Sequence, residues 1–246
     1  MTRRLLMIVP TRSRPHNVAP LVEAWRETNA FTDGAELVLV VDVDDPERDA
    51  YLDAVNGQLG NQRRDVTWLI ADEWEPLVPK LNRAATYLEI THKPFAIGFM
   101  GDDHRPRTPG WAKAYLDELA LMGTGIVSCP DGHRPDDLPT QWAMTGDIVR
   151  ELRRMVPAPV EHLYCDDAIR ELGKAAECYR WRADLLIDHL NPYAGQRAPM
   201  DEQYRRVNSA EQYKADRPGY RRWKRYGGLI DDAAAVRRIQ TSKGQA

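Results

Sequence analysis

The chain has 246 residues, 43% of them hydrophobic, with 34 Lys and Arg against 37 Asp and Glu and a formal net charge of -3. That supports one large α/β domain with a real core, or one domain with an appended subdomain, and argues against a general nucleic-acid binder. Cys129, Cys165 and Cys178 form no Cys-x-x-Cys pair, so zinc held by cysteine is not expected; with no signal-peptide pattern and no apolar run near about 18 residues, the chain reads as cytoplasmic, with reduced thiols.

In chain order, residues 5–9 are a short apolar run stopped by Pro10, and the basic loop Thr11-Arg12-Ser13-Arg14-Pro15 leads into a helical pattern over 18–28. Free backbone N–H groups at a helix start, with Arg12 and Arg14 beside them, suit an anion such as a nucleotide phosphate; an ordinary βα turn with solvated arginines is the alternative. A second apolar strand over 36–41 ends in Asp42-Val43-Asp44-Asp45, and Pro46 opens a helix to about residue 59. A third strand is expected over 65–71, and a helix over 76–88 carrying Lys80, Asn82 and Arg83. Strands alternating with helices of this length indicate βαβ units and a mainly parallel open sheet. No Gly-x-Gly-x-x-Gly and no Walker A sequence occurs, so any phosphate must be held by metal or arginine.

The fourth strand, over 95–100, runs straight into Gly101-Asp102-Asp103. Buried apolar residues thereby deliver two carboxylates to the carboxyl edge of the sheet, where open α/β sheets bind ligands. One acid can hold a ribose or sugar hydroxyl while the other ligates a hard divalent cation, Mg2+ or Mn2+, shared with a substrate diphosphate; a solvated acidic turn is the plainer alternative. Beyond it come a helix over 108–121, a short strand over 125–129, and a strand over 140–145 leading into a helix over 147–155. Pro157 and Pro159 break the chain before Asp166 and Asp167 open another helix, where capping alone would favour them. A strand over 183–188 ends at His189, and the basic, aromatic stretch 217–226 opens a tail over 217–246.

This order of elements resembles the GT-A glycosyltransferases, particularly the family-2-like group, over roughly residues 5–191. The resemblance implies an α/β fold in which 1–106 bind the nucleotide sugar, 107–216 form the acceptor and catalytic half, and 217–246 are the tail. By position it places Pro10, Thr11, Arg12 and Arg14 at the nucleotide loop, Asp42, with Asp44 sharing or replacing its role, at the base-binding acid, Lys80 and Asn82 on the following helix, Asp102 at the ribose or donor sugar, Asp103 and His189 at the metal, and Asp167, or its neighbour Asp166, at the catalytic base. Gly101-Asp102-Asp103 lacks the leading acid of a strict Asp-x-Asp motif. The implied activity is transfer of a sugar from a nucleoside diphosphate sugar, UDP favoured over GDP, with Mn2+ or Mg2+. The acceptor stays open among a protein, a glycan, a lipid-linked sugar and modified DNA, with Trp142, Met144 and the Gly146-Asp147 turn on its side of the site. The tail is read as a lid in which Arg221 and Arg222 neutralise the diphosphate, or as a docking arm for an anionic acceptor. Alternatives to transfer are a sugar-phosphate nucleotidyltransferase and a non-catalytic nucleotide- or carbohydrate-binding module. The Arg and Ala content is that of a GC-rich genome, such as an actinobacterium or its phage.

Overall fold

The computed structural model describes residues 3–59, 66–71, 75–134, 136–192 and 200–244. Its strands are β1 (Leu5–Thr11), β2 (Ala35–Asp42), β3 (Val66–Ala71), β4 (Ala96–Phe99), β5 (His104–Pro106), β6 (Ile126–Ser128), β7 (Trp142–Thr145), β8 (Tyr179–Trp181) and β9 (Ile187–His189). The helices are α1 (Val18–Glu27), α2 (Arg48–Leu59), α3 (Leu77–His92), α4 (Trp111–Met122), α5 (Gly146–Leu152), α6 (Cys165–Ala175), α7 (Glu202–Val207), α8 (Ala210–Arg225) and α9 (Gly228–Gly244). Seven strands form one sheet in the order β3-β2-β1-β4-β7-β6-β8, and β5 pairs with β9 in a small second sheet. The first four strands are parallel, whereas β7 runs antiparallel to both β4 and β6. The expected α/β, mainly parallel, helix-flanked architecture is therefore present.

The two-residue period of a strand divides the core. Leu6 and Ile8 of β1 join Val38 and Val40 of β2 on one face, under α3, α5, α6 and α9; Leu5, Met7 and Val9 join Leu37, Leu39 and Val41 on the other, under α1, α2 and α4. Because β1 lies between β2 and β4 in parallel register, Thr11, Asp42 and the Gly101–Asp103 turn leave the sheet at the same edge.

Several elements differ from expectation. Asp65, the expected start of β3, lies outside the described residues. The expected strand over 183–188 forms only at Ile187–His189, because its partner is the three-residue β5, and Leu185 is instead buried in the core beside Ile187. The boundary at 216/217 falls within α8, and Trp223, Ala233 and Val236 share a hydrophobic cluster with Leu6 and Ile8. Apolar residues scattered through a basic sequence thus pack 217–244 onto the same body. No helix among the described residues is long and apolar enough to cross a membrane.

Candidate active site

A cleft of ≈ 400 Å³ opens at this edge of the sheet and is lined by Pro10, Thr11, Arg12, Arg14, Asp42, Lys80, Asp102, Asp103, Asp166, Asp167 and His189, among others. Of the residues singled out in the sequence, Asn82, Arg83, Arg221 and Arg222 do not line it, nor do Met144 and the Gly146-Asp147 turn, which lies at the opposite end of the β4–β7 pair, where Asp147 pairs with Lys243 and Thr124; among the described residues Asp44 touches the site only through Arg12. The Asn82 side chain accepts from the backbone N–H groups of Met155 (2.9 Å) and Val156 (2.8 Å), so it holds the turn after α5. Arg221 and Arg222 are exposed on α8.

On the β1–β2 side, Asp42 is fully buried between two cations: Arg12 Nη1 lies 3.1 Å from its Oδ2, and Lys80 Nζ pairs with its Oδ1. Arg12 also donates to both oxygens of Asp44, at 2.7 and 3.2 Å. The loop backbone is fixed by two side chains from the next unit, since Ser13 N–H donates to Asp45 (2.8 Å) and Arg14 N–H to the Tyr51 hydroxyl (2.8 Å).

The two central carboxylates have separate environments. Asp102 accepts from Thr11 Oγ1 (2.7 Å), Asn17 Nδ2 (3.3 Å) and Arg14 Nη1 (3.4 Å), yet burial, with Asp103 adjacent, pushes its pKa up to about 6. Asp103 faces histidines: Nδ1 of His104 lies 3.3 Å from one of its oxygens and Nε2 of His189 3.4 Å from the other. Burial alone would raise Asp103, but His189 and His104 hold it well below the usual carboxylate range. Burial likewise opposes charge on His189, and Asp103 reverses that, raising its pKa. Gly101 permits the geometry, since a Cβ there would sit 2.6 Å from Asp103 Oδ1 and 2.8 Å from His104 Nδ1.

Pairing of β5 with β9 explains the histidines. His104 lies opposite His189 in the antiparallel register, so the rings stack with centroids 4.2 Å apart. Ligand atoms of Asp103, His104 and His189 all fall within 4.8 Å of one another. A carboxylate with one or two imidazoles fits a divalent ion of the Mn2+ type; Nδ1 of His104 accepts from Gly101 N–H (3.1 Å), while its buried Nε2 has no hydrogen-bond partner among the described residues.

Across the cleft, Asp166 and Asp167 occupy the first turn of α6. Asp166 Oδ1 accepts from Asp167 N–H (2.9 Å), and burial, with Asp167 beside it, pushes its pKa up to about 6. Asp167 is raised by burial against the pull of Arg170, whose Nη2 is 2.8 Å away. Tyr164, just before this helix, holds a left-handed backbone at φ 66°, a conformation few non-glycine residues adopt outside functional or tightly packed turns.

Several participants were not singled out in the sequence. His104 follows Asp103 directly, and only its pairing with β9 reveals its use. Asp201 binds Arg14 at 2.6 Å while capping α7, and its Asp-Glu-x-Tyr setting is a helix start that sequence reading could have found. His162 lines the cleft with a pKa lowered to about 4, by burial first and then by Arg206, Arg14 and Lys80, against the pull of Asp216. Trp142, which the sequence places on the acceptor side, is fully buried in the core behind the cleft and packs against Phe99 with ring centroids 4.7 Å apart.

The sequence matches no protein-family model and no curated protein. Among solved structures, the chain is similar to the mannosyltransferase PcManGT of Pyrobaculum calidifontis in complex with GDP-Man and Mn2+, at 16% identity and TM-score 0.61, covering 98% of this chain and 76% of that one. It is similar to S. aureus TarS 1–349 in complex with UDP-GlcNAc at 10% identity and TM-score 0.57, covering 95% of this chain and 79% of that one. Against another TarS 1–349 structure it covers 59% of that chain, and against S. aureus TarS 37%. At such identities the likeness carries the fold, a GT-A-like glycosyltransferase fold.

Proposed function

We propose that this protein is a metal-dependent glycosyltransferase that moves a sugar from a nucleoside diphosphate sugar to an acceptor hydroxyl. The observation that carries the reading is the convergence, at one edge of a GT-A-like sheet, of three separated acidic stations: Asp42, Asp102–Asp103 with His189, and Asp166–Asp167. A solvated turn or a structural cap would not bring all three into one cleft, where desolvated carboxylates are costly unless used.

In this reading Asp42 recognises the base. Set between Lys80 and Arg12, it offers an acceptor flanked by two donors. The N3–H of uracil, flanked by two carbonyl oxygens, complements that order, whereas guanine presents two adjacent donors and leaves one cation unmatched; this favours a UDP-sugar. Asp102, steadied by Thr11 and Asn17, receives a ribose or sugar hydroxyl. Asp103 and His189, with His104 as a third donor, would hold the divalent cation, which when bound neutralises charge at the leaving diphosphate. The Asp166–Asp167 pair removes the acceptor proton: Asp167 has the position the resemblance implies for the base, and Asp166 keeps the proton affinity of the pair near neutrality.

Calorimetric titration with UDP and GDP, each with and without Mn2+, tests the donor half. Metal-dependent binding with UDP tighter than GDP is expected; no metal-dependent binding of either sinks the reading. A nucleotidyltransferase would instead release pyrophosphate from a nucleoside triphosphate. A binding module without chemistry would show no slow donor hydrolysis in the absence of acceptor.

A further inference from the structure

α8 carries six cations and two acids, and one of those acids, Asp216, is buried. Its carboxylate accepts from the backbone N–H groups of Glu161 (2.6 Å), His162 (3.1 Å) and Leu163 (2.8 Å), which fastens the helix to the loop before α6. Gly219 lets the two approach, since a Cβ there would meet Pro159 O at 2.1 Å. Lys214, Arg217 and Arg221 recur at spacings of three and four residues, so they share one stripe. With Ala210, Tyr213 and Pro218 they line an open groove of ≈ 690 Å³. Among the described residues none of the three has a carboxylate within ion-pair distance; Arg217 Nε donates instead to the Tyr164 hydroxyl at 3.3 Å. Lys224, by contrast, is paired with Glu171.

The groove leads to the chemistry. Tyr213 lines both the groove and the catalytic cleft, and Tyr164 lines the cleft two residues before Asp166. Tyr164 is stacked on Tyr220 of α8 (5.0 Å, 10°) and meets Tyr213 edge-on (6.0 Å). A basic track thus runs along α8, past a tyrosine fixed in an unusual backbone conformation, to the carboxylate pair.

We propose that this groove is the acceptor site and that it takes a phosphate-bearing sugar or polyol chain, whose phosphates lie on Lys214, Arg217 and Arg221 while a hydroxyl reaches Asp166–Asp167. The inference rests on the glycosyltransferase reading above for the role of that hydroxyl. Nucleic acid fits less well. Sequence-tolerant binding of single strands depends on free aromatic faces for successive bases, and Tyr164 already has a face covered by Tyr220. The net charge of -3 offers no wider basic surface for a duplex.

Inorganic polyphosphate is the probe, titrated into the full chain at several salt concentrations, with single-stranded oligothymidylate in parallel. Polyphosphate is expected to bind, with log affinity falling by about 0.7 per phosphate neutralised, or roughly 2 per decade of salt for three cations. Lys214→Glu with Arg217→Glu is expected to weaken it at least about tenfold while leaving UDP affinity within about twofold. Both positions are exposed, and an unchanged thermal midpoint would establish that the variant folds. No polyphosphate binding at low salt, equal binding by the folded double variant, or tighter binding of oligothymidylate than of polyphosphate each overturns the proposal. The readouts separate the two readings: failure of Mn2+-dependent UDP binding removes the donor assignment and leaves the polyphosphate result standing, and the reverse outcome removes only the groove.

Discussion

Asp102–Asp103 and Asp166–Asp167 are the same dipeptide in two settings. The first pair ends a buried parallel strand and is split, one carboxyl toward Thr11, Asn17 and Arg14, the other toward two histidines, so the pKa values move in opposite directions. The second pair opens a helix, and both members are raised, because burial acts on each and the one strong cation, Arg170, reaches only Asp167. Partners supplied by distant elements, not the local sequence, make one pair suited to holding charge and the other to taking up a proton.

On that division of roles, the largest losses fall on the helix pair. Asp167→Asn and Asp166→Asn should each lower transfer by roughly 10²–10⁴-fold with donor affinity nearly unchanged, since a general base acts in the chemical step. Transfer measured with UDP-GlcNAc and other UDP-sugars by product mass spectrometry checks this, and a variant that keeps full turnover would remove its residue from the pair's work. The wild-type rate should climb as pH rises through about 6 and level off above it, because the carboxylates accept a proton only when ionised. That rising limb should move in Asp166→Asn.

Asp103→Asn should act through the metal. Its Mn2+ affinity is expected to fall at least roughly 10–100-fold, read by calorimetry, while Asp102→Asn keeps the metal and loses donor affinity. Equal losses of metal from both variants would erase the distinction drawn within the first pair.

A structural contrast comes next. Asp216 is also a buried carboxylate, but backbone N–H groups engage it and it does not line the cleft. Asp216→Asn should cost roughly 2–3 kcal/mol in chemical denaturation, since hydrogen bonds to a charged acceptor are lost and buried donors are left unmatched.

The smallest effect has the opposite sign. Asp166 holds its proton more tightly in the folded chain than its ordinary value of 3.8 allows, so its contribution to stability is complete below about pH 4 and is lost as pH rises through about 6. Asp166→Asn should therefore stabilise the protein by about 1–3 kcal/mol at pH 8 and add almost nothing at pH 4, which thermal melts at the two values would show. A stabilised but inactive variant is what a carboxylate kept for chemistry predicts.

Much of this was legible from local pattern. Residues 5–9, 37–41 and 95–100 are continuous apolar runs, the signature of strands buried on both faces, and each leads into polar residues that a parallel sheet must bring to one edge. That reasoning reaches Thr11, Asp42, Asp102 and Asp103, all of which line the cleft. It does not reach Asn82, a helix residue with no periodic signal to say whether its amide meets a ligand or the 155–156 backbone. Nor does it reach the stretch 217–226, whose basic character hides Trp223, buried in the core with Nε1 donating to Asp232 at 2.8 Å.

The sequence by itself determined the first four strands of the sheet, the order of the acidic stations and the edge at which the first of them gather, because burial and backbone periodicity act over a few residues, whereas the three-residue strands β5 and β8 carry no such signal. Only the tertiary structure decided which side chains share a site. His104 meets His189 because β5 pairs with β9 across 85 positions of chain, and Asp201 meets Arg14 across 187. Such contacts depend on how whole elements pack, and no spacing along the chain encodes the distance between residues that folding alone brings together.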